Sequence, residues 1–160
     1  MFLERDSQSD QFGIQTFPGV VYIQIAVTAS RPIEKCRGWI VRVEYRLTNY
    51  DLFAVEHNER HPCQWSKHGG ADNCVADLKP NDPPLRLNVA VYDESALQCE
   101  PVPGVATPSN LLPLLQRTGI HRFTLRLVGE YKGRQIAETK YLDVDWRGPG
   151  NGAFISLSKT

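Results

Sequence analysis

The sequence predicts an all-β fold, in which two antiparallel sheets pack as a sandwich joined by long irregular loops. Several segments alternate large apolar side chains with polar ones, which is the period of a half-buried strand. Turn-forming Pro and Gly clusters separate these segments, and almost no stretch has helical periodicity. The clearest alternation places five large apolar side chains at odd positions: Trp39, Val41, Val43, Tyr45 and Leu47. A closed barrel is the alternative architecture.

Length and composition predict one folded domain. The chain has 160 residues, of which 41% are hydrophobic, and its formal net charge is zero. That length can bury a core without covalent crosslinks. Neutral charge argues against nucleic acid or an anionic membrane as the main partner. We expect residues 1–11 to be a flexible leader, because they are polar, and residues 12–160 to form a single sandwich domain.

The first half of the domain contains three predicted strands. Apolar residues alternate over 20–29, and a short connection leads into the strand at 36–47. So short a link favours neighbouring strands, although a crossing between two sheets is the alternative. Residues 56–84 form a long irregular region, which in a compact domain is often functional. Alternation returns at 85–92, with the apolar residues Leu85, Leu87, Val89 and Val91 expected inward.

The second half is dominated by a predicted β-hairpin. Residues 109–115 read as one helical turn capped by Ser109. Residues 122–127 and 142–146 then alternate on either side of a turn at 131–134, which is typical of two long paired strands. A last short strand is expected at 154–157. These six to eight strands favour a sandwich that is immunoglobulin-like in the broad sense.

Two segments carry a resemblance to a known group of domains. Residues 31–40 place a Pro-Ile pair shortly before a cysteine that opens a strand, and residues 84–90 contain a Leu-Arg-Leu strand. Together they resemble uncharacterised bacterial immunoglobulin-like β-sandwich domains, which are often associated with membranes. The resemblance implies the fold and no chemistry, so it assigns no catalytic residue.

One loop region is rich in potential metal ligands. Imidazole and thiolate groups are the ligands that zinc prefers, and four of them can complete a tetrahedron. The spacing matches no zinc finger or ribbon, so an ordinary polar loop and a Cys63–Cys74 disulfide are alternatives. The candidate ligands are His57, His61, Cys63, His68 and Cys74.

Three other residues are candidates for a binding surface. Trp65 follows Cys63 in the polar loop, where an exposed Trp would suit recognition and a Trp folded back over the sandwich is the alternative. Arg122 and Arg126 belong to a basic stretch over 117–140 that could meet an anionic partner. The outward carboxylates of Asp143 and Asp145 could instead pair with these arginines across the hairpin.

These observations favour a non-enzymatic module that binds or senses a protein partner through its loops. The alternative is a zinc-binding or metal-stabilised domain centred on residues 57–74; self-association is a further expectation. An enzyme is disfavoured, because neither a nucleophile motif nor a phosphate loop is present. The N-terminal residues lack a signal peptide, so a natural start at Met1 would predict a cytoplasmic protein. No stretch is apolar enough for a membrane span. If Met1 is not the natural start, the alternative is that an anchor has been removed, and the location is then open.

Overall fold

In a computed structural model the protein is an all-β molecule built from two antiparallel sheets. The structure describes residues 2–9, 19–50, 52–53, 55–58, 60–66, 74–99 and 111–158. Its elements, in chain order, are β1 (Phe2–Ser9), β2 (Gly19–Val27), β3 (Ile33–Arg46), β4 (Val55–His57), β5 (His61–Pro62), β6 (Gln64–Ser66), β7 (Ala76–Leu78), β8 (Leu85–Tyr92), β9 (Leu97–Cys99), α1 (Leu111–Leu115), β10 (Gly119–Tyr131), β11 (Arg134–Trp146) and β12 (Ala153–Ser158). The predicted two-sheet sandwich is therefore confirmed, and the sheets do not close into a barrel.

The smaller sheet has five strands in the order β1-β2-β8-β6, with β9 paired to β8. The larger sheet has seven, in the order β12-β11-β10-β3-β4, with β5 and β7 also paired to β3. The long strand β3 thus lies between β10 on one side and a series of short strands on the other. The link between β2 and β3 crosses from one sheet to the other, so the expectation of neighbouring strands is wrong and the alternative is correct.

The core lies between the two sheets and is lined by residues from almost every strand. Phe123, Leu142 and Trp146 of the predicted hairpin are fully buried, and they face Ile23 and Leu87 of the other sheet. The sheets approach closely at Gly38, where a Cβ atom would lie 2.5 Å from Leu87 Cδ2. A side chain at this position would displace the side chain of Leu87 in the opposite sheet, so the glycine allows the close approach.

A β-bulge interrupts the organising strand β3. Thr124 of β10 pairs with Arg42 and the next residue, Leu125, pairs with Ile40, so Val41 is an extra residue. An extra residue reverses which side chains face inward on either side of it. The prediction that Trp39 and Val41 share the buried face is therefore wrong: Ile40 is fully buried, whereas both of its neighbours are half-buried on the outer face.

The same correction applies to β8. Val21 pairs with Ala90 and Tyr22 pairs with Asn88, which leaves Val89 as the extra residue. Ala90 and Tyr92 are consequently buried, and Val91, predicted to face inward, is half-buried. Leu87 is buried as predicted.

Two further segments differ from expectation. Residues 2–9, predicted to be part of a flexible leader, form β1 and pair with β2. The predicted irregular region 56–84 contains the short strands β5, β6 and β7 and the last two residues of β4. In both cases the edge of an existing strand provides backbone hydrogen-bonding groups, and pairing with such an edge does not need an alternating side-chain pattern.

Candidate functional site

A shallow groove lies on the outer face of the larger sheet, the face turned away from the core. Its volume is about 520 Å³. Trp39 and Val41 of β3 form its floor together with residues of the hairpin β10–β11. Among the described residues its lining is Trp39, Val41, Arg60, Arg126, Val128, Gln135, Ile136 and Ala137. We call this surface the Trp39 groove.

The β3 bulge places Trp39 in the groove. Trp39 pairs with Arg126 of β10, and Arg126 is exposed while its neighbours Leu125 and Leu127 are buried. Directly opposite residues in a pleated sheet share a face, so the indole and the guanidinium lie side by side on the outer surface. Without the extra residue Val41, regular alternation from the buried Val43 would have turned Trp39 inward.

The groove combines an apolar floor with two guanidinium groups. Arg60 precedes β5, which pairs with β3 at Trp39 and Ile40, and this pairing brings Arg60 to the groove. Arg126 Nη1 donates a hydrogen bond to Thr139 Oγ1 at 3.3 Å. None of the described residues that line the groove carries a carboxylate. Both arginines are therefore available to an acidic ligand.

Arg122 lies on the same outer face but is already paired. Its guanidinium forms a bidentate contact with Asp143, with Nε–Oδ1 at 2.8 Å and Nη2–Oδ2 at 3.1 Å. It also lies over the Phe53 ring, 4.8 Å from the centroid. The hydrogen bond that Arg122 donates to the Asp143 carboxylate raises the pKa of Arg122. The predicted cross-hairpin pairing is confirmed for these two residues, and Asp143 largely neutralises Arg122 as a docking charge.

Trp65 is part of the core. It is 3% exposed, and its indole Nε1–H donates a hydrogen bond to the Cys36 carbonyl at 2.9 Å. A side chain this buried offers almost no area to a partner, so the structure corresponds to the alternative in which Trp65 folds over the sandwich. Of the three tryptophans, Trp39 is the one that is only half-buried, although the alternation pattern had assigned it to the core.

The predicted metal ligands lie in different environments. His61 and Cys63 are buried, whereas Cys74 is partly exposed. His68 lies outside the described residues, as does the side chain of His57. Among the side chains that the structure does describe, no group of three or more His, Cys, Asp or Glu could hold a metal ion. Zinc binding in the loop stays a prediction, which metal analysis of the purified protein tests.

Three of the four cysteines, Cys36, Cys63 and Cys99, are buried core residues. All four are free thiols, so the structure contains no Cys63–Cys74 disulfide. Cys36 is buried as predicted, and its Sγ–H donates to the Ile33 carbonyl at 3.2 Å. Burial raises the pKa of Cys36 and of Cys99 to about 12. Because the thiolate is the reactive form, neither thiol is suited to nucleophilic chemistry at neutral pH.

A second cavity, of about 390 Å³, lies beside β2, β7 and β8. Its most distinctive contact is the Arg86 guanidinium, 3.8 Å from the centroid of the Tyr22 ring. Asp77 and Asp82 also line the cavity, so its charge is mixed. Asp77 accepts a hydrogen bond from the Lys35 backbone N–H at 2.9 Å, and this contact explains the acid as part of the fold.

Comparison with known proteins gives no assignment. No protein-family model matches the chain, and no match was found among curated proteins or solved structures. The resemblance to bacterial sandwich domains therefore stays a prediction. The helix in the described part of the chain is too short to cross a membrane.

Proposed function

We propose that this protein is a non-enzymatic binding module that recognises a protein partner through the Trp39 groove. The observation that carries the proposal is the half-buried indole of Trp39, set beside the guanidinium groups of Arg60 and Arg126. Tryptophan and arginine are the residues most enriched at the energetic centres of protein interfaces. Their position on a rigid sheet also lowers the ordering entropy lost on binding.

The chemistry of the groove defines the kind of partner. Trp39, Val41 and Val128 provide an apolar floor for a hydrophobic side chain, and the arginines provide donors for a carboxylate beside it. Guanidinium groups bind carboxylates through charge-assisted hydrogen bonds, which give orientation as well as affinity. The best partner is thus a protein segment with an apolar residue next to acidic ones. This proposal shifts recognition from the loops, where the sequence suggested it, to the face of the sheet.

Photo-crosslinking in the cells that produce the protein tests the proposal. A photoreactive aromatic residue replaces Val41 in the groove or, as a control, the exposed Ser95 in the turn between β8 and β9. We expect the Val41 position alone to capture a discrete partner, and Arg126→Glu to abolish that capture. Identical products from both positions, or capture that persists with Arg126→Glu, would contradict the proposal.

A second arm separates the face of the sheet from the loops. Residues 67–73 are replaced by a short Gly-Ser linker, with the photoreactive residue kept at position 41. Under the present proposal the same partner is captured at the same level. Loss of capture would return recognition to the loop region predicted from the sequence.

A further inference from the structure

The hairpin strand β11 has an unpaired edge. β12 pairs with residues Tyr141–Trp146 of β11, whereas β11 begins at Arg134. Within the described part of the chain, no strand pairs with Arg134–Lys140 on the side opposite β10. The described part of β12 ends opposite Tyr141, because Ser158 pairs with that residue. The five residues of this edge that lie farthest from β12 are Arg134–Glu138.

The turn of the hairpin determines which backbone groups this edge presents. Lys132 and Gly133 form a two-residue turn with φ of 52° and 75°, and Tyr131 pairs with Arg134. In such a hairpin the residues that flank the turn exchange both hydrogen bonds, and every second pair does the same. Residues 134, 136 and 138 thus bond to β10. Gln135 and Ala137 direct their N–H and C=O groups to the unpaired edge.

We propose that two copies of the chain pair antiparallel along this edge, about a two-fold axis that passes between the two Ile136 residues. In that register Gln135 of each copy exchanges two backbone hydrogen bonds with Ala137 of the other. Arg134 lies directly opposite Glu138 of the second copy, and the symmetry repeats this pair. Ile136 meets its own counterpart on the same face.

Charge favours this register over the neighbouring one that is centred on Ala137. The smallest shift that keeps the backbone hydrogen bonds moves the two-fold axis by one residue, here from residue 136 to residue 137. That shift would place Arg134 opposite Lys140 and Ile136 opposite Glu138. Opposite charges across a strand pair contribute about 0.2–1 kcal/mol, and like charges destabilise it. Glu138 Oε2 also lies 3.5 Å from Lys140 Nζ in its own chain, so Arg134 of the second copy would complete a cation–anion–cation row.

The ends of the edge fit the same arrangement. The Lys132–Gly133 turn limits the edge on one side, and β12, which pairs with β11 from Tyr141 onward, limits it on the other. The five residues from Arg134 to Glu138 lie between these limits and are centred on Ile136. The two larger sheets would then form one continuous sheet. Their outer faces would point the same way, so the proposal is compatible with the Trp39 groove and does not depend on it.

Sedimentation velocity of the purified chain from about 1 µM to about 1 mM tests the pairing, because so short an edge supports a weak dimer. We expect the sedimenting mass to rise toward twice the 18.1 kDa of one chain. Arg134→Glu places Glu opposite Glu, and Glu138→Arg places Arg opposite Arg, in both symmetry-related pairs of the dimer. Each substitution should therefore weaken association by about tenfold or more. A wild-type chain that is monomeric throughout this range would refute the proposal.

Mixing and exchange of charges separate this register from any other contact. The Arg134→Glu and Glu138→Arg chains, each impaired alone, should form a mixed dimer, because every Glu then meets an Arg of the other chain. The double variant Arg134→Glu/Glu138→Arg should recover self-association. Failure of both rescues would overturn the proposed register.

A backbone variant removes the hydrogen bonds without changing charge. Ala137→Pro deletes an N–H that points to the edge and takes no part in pairing with β10. It should abolish association while the far-ultraviolet spectrum stays that of a β protein. Undiminished association of this variant would also contradict the proposal. In the Arg134→Glu chain, whose substitution lies outside the lining of the groove, capture from position 41 should persist, which distinguishes failure of the dimer from failure of the proposed function.

Discussion

His121 is a buried imidazole whose protonation state is defined by its surroundings. Its side chain is fully buried, and Nε2 lies 2.8 Å from the Arg117 carbonyl oxygen. A carbonyl can only accept, so Nε2 carries the proton and Nδ1 is the unprotonated nitrogen. Nδ1 has no hydrogen-bond partner among the described residues. The Tyr45 ring, whose centroid is 5.0 Å away, covers the imidazole.

This environment predicts acid sensitivity. Burial lowers the pKa of His121 from 6.5 to about 4, against the raising effects of the Arg117 carbonyl and the Asp145 charge. The unfolded chain therefore takes up a proton at a higher pH than the folded chain does. His121 should contribute about 3 kcal/mol of stability above pH 6.5, lost progressively between about pH 6.5 and pH 4.

Urea unfolding at a series of pH values measures this contribution. The matched variant His121→Gln keeps a donor for the Arg117 carbonyl and does not titrate, so its free energy of unfolding should fall less steeply in that window. Parallel pH profiles for the two proteins would show that His121 does not contribute.

At the scale of the element, the turn of the hairpin β10–β11 contains a strained backbone conformation, which a substitution at Lys132 can relieve. Lys132 has a left-handed φ of 52°. Residues other than glycine adopt this backbone conformation at a cost in energy, which is smallest for Asn. Lys132→Asn should therefore be more stable than Lys132→Ala by about 0.5 kcal/mol. Both variants lose the Lys132 ammonium, which lies 5.3 Å from the Tyr131 ring centroid, so that contact cancels in the comparison. Thermal unfolding of the two variants measures the difference, and equal midpoints would contradict the expectation.

The elements also show how far the sequence could predict this fold. Alternation correctly located β2, β3, β8 and the hairpin, because half-buried strands impose a two-residue period. It failed within β3 and β8, since a bulge adds a residue without any composition signal that an alternating pattern would detect. The bulge in β3 is also what places Trp39 in the groove, so the alternating pattern could not predict the groove. Arg126 could be predicted from the charge of its strand, whereas Arg60 reaches the groove through the short strand β5, which no periodicity indicated.

At the scale of the whole molecule, the two sheets approach each other closely at Gly38. Gly38 faces Leu87 across the core, with only 2.5 Å between Leu87 Cδ2 and the position of a Cβ at residue 38. Gly38→Ala should destabilise the protein by about 1–3 kcal/mol, because the buried Leu87 must shift into a close-packed interior.

A double-mutant cycle identifies the cause. If the sheets are in contact at this point, Leu87→Ala makes room for the added methyl group, and Gly38→Ala/Leu87→Ala should be less destabilised than the sum of the two single variants. Urea unfolding of the four proteins gives the coupling. Strict additivity would show that the cost of Gly38→Ala arises elsewhere.

The sandwich itself was predictable as a whole, but the assignment of strands to sheets was not. The short link between β2 and β3 gave no sign that the chain crosses between layers, because a few residues suffice for either path. The strand β1 was missed for a related reason. Its pairing with β2 uses backbone groups that every residue carries.

The bulge at Val41 divides β3 into two lengths with opposite phase. From Val43 to Tyr45 the odd positions face the interior, and from Cys36 to Ile40 the even ones do. Substitutions at Trp39 or Val41 can therefore vary the outer surface while Ile40 and Val43 keep the interior unchanged. One inserted residue thus brings two apolar side chains to the outer face of a strand without removing any large side chain from its inner face.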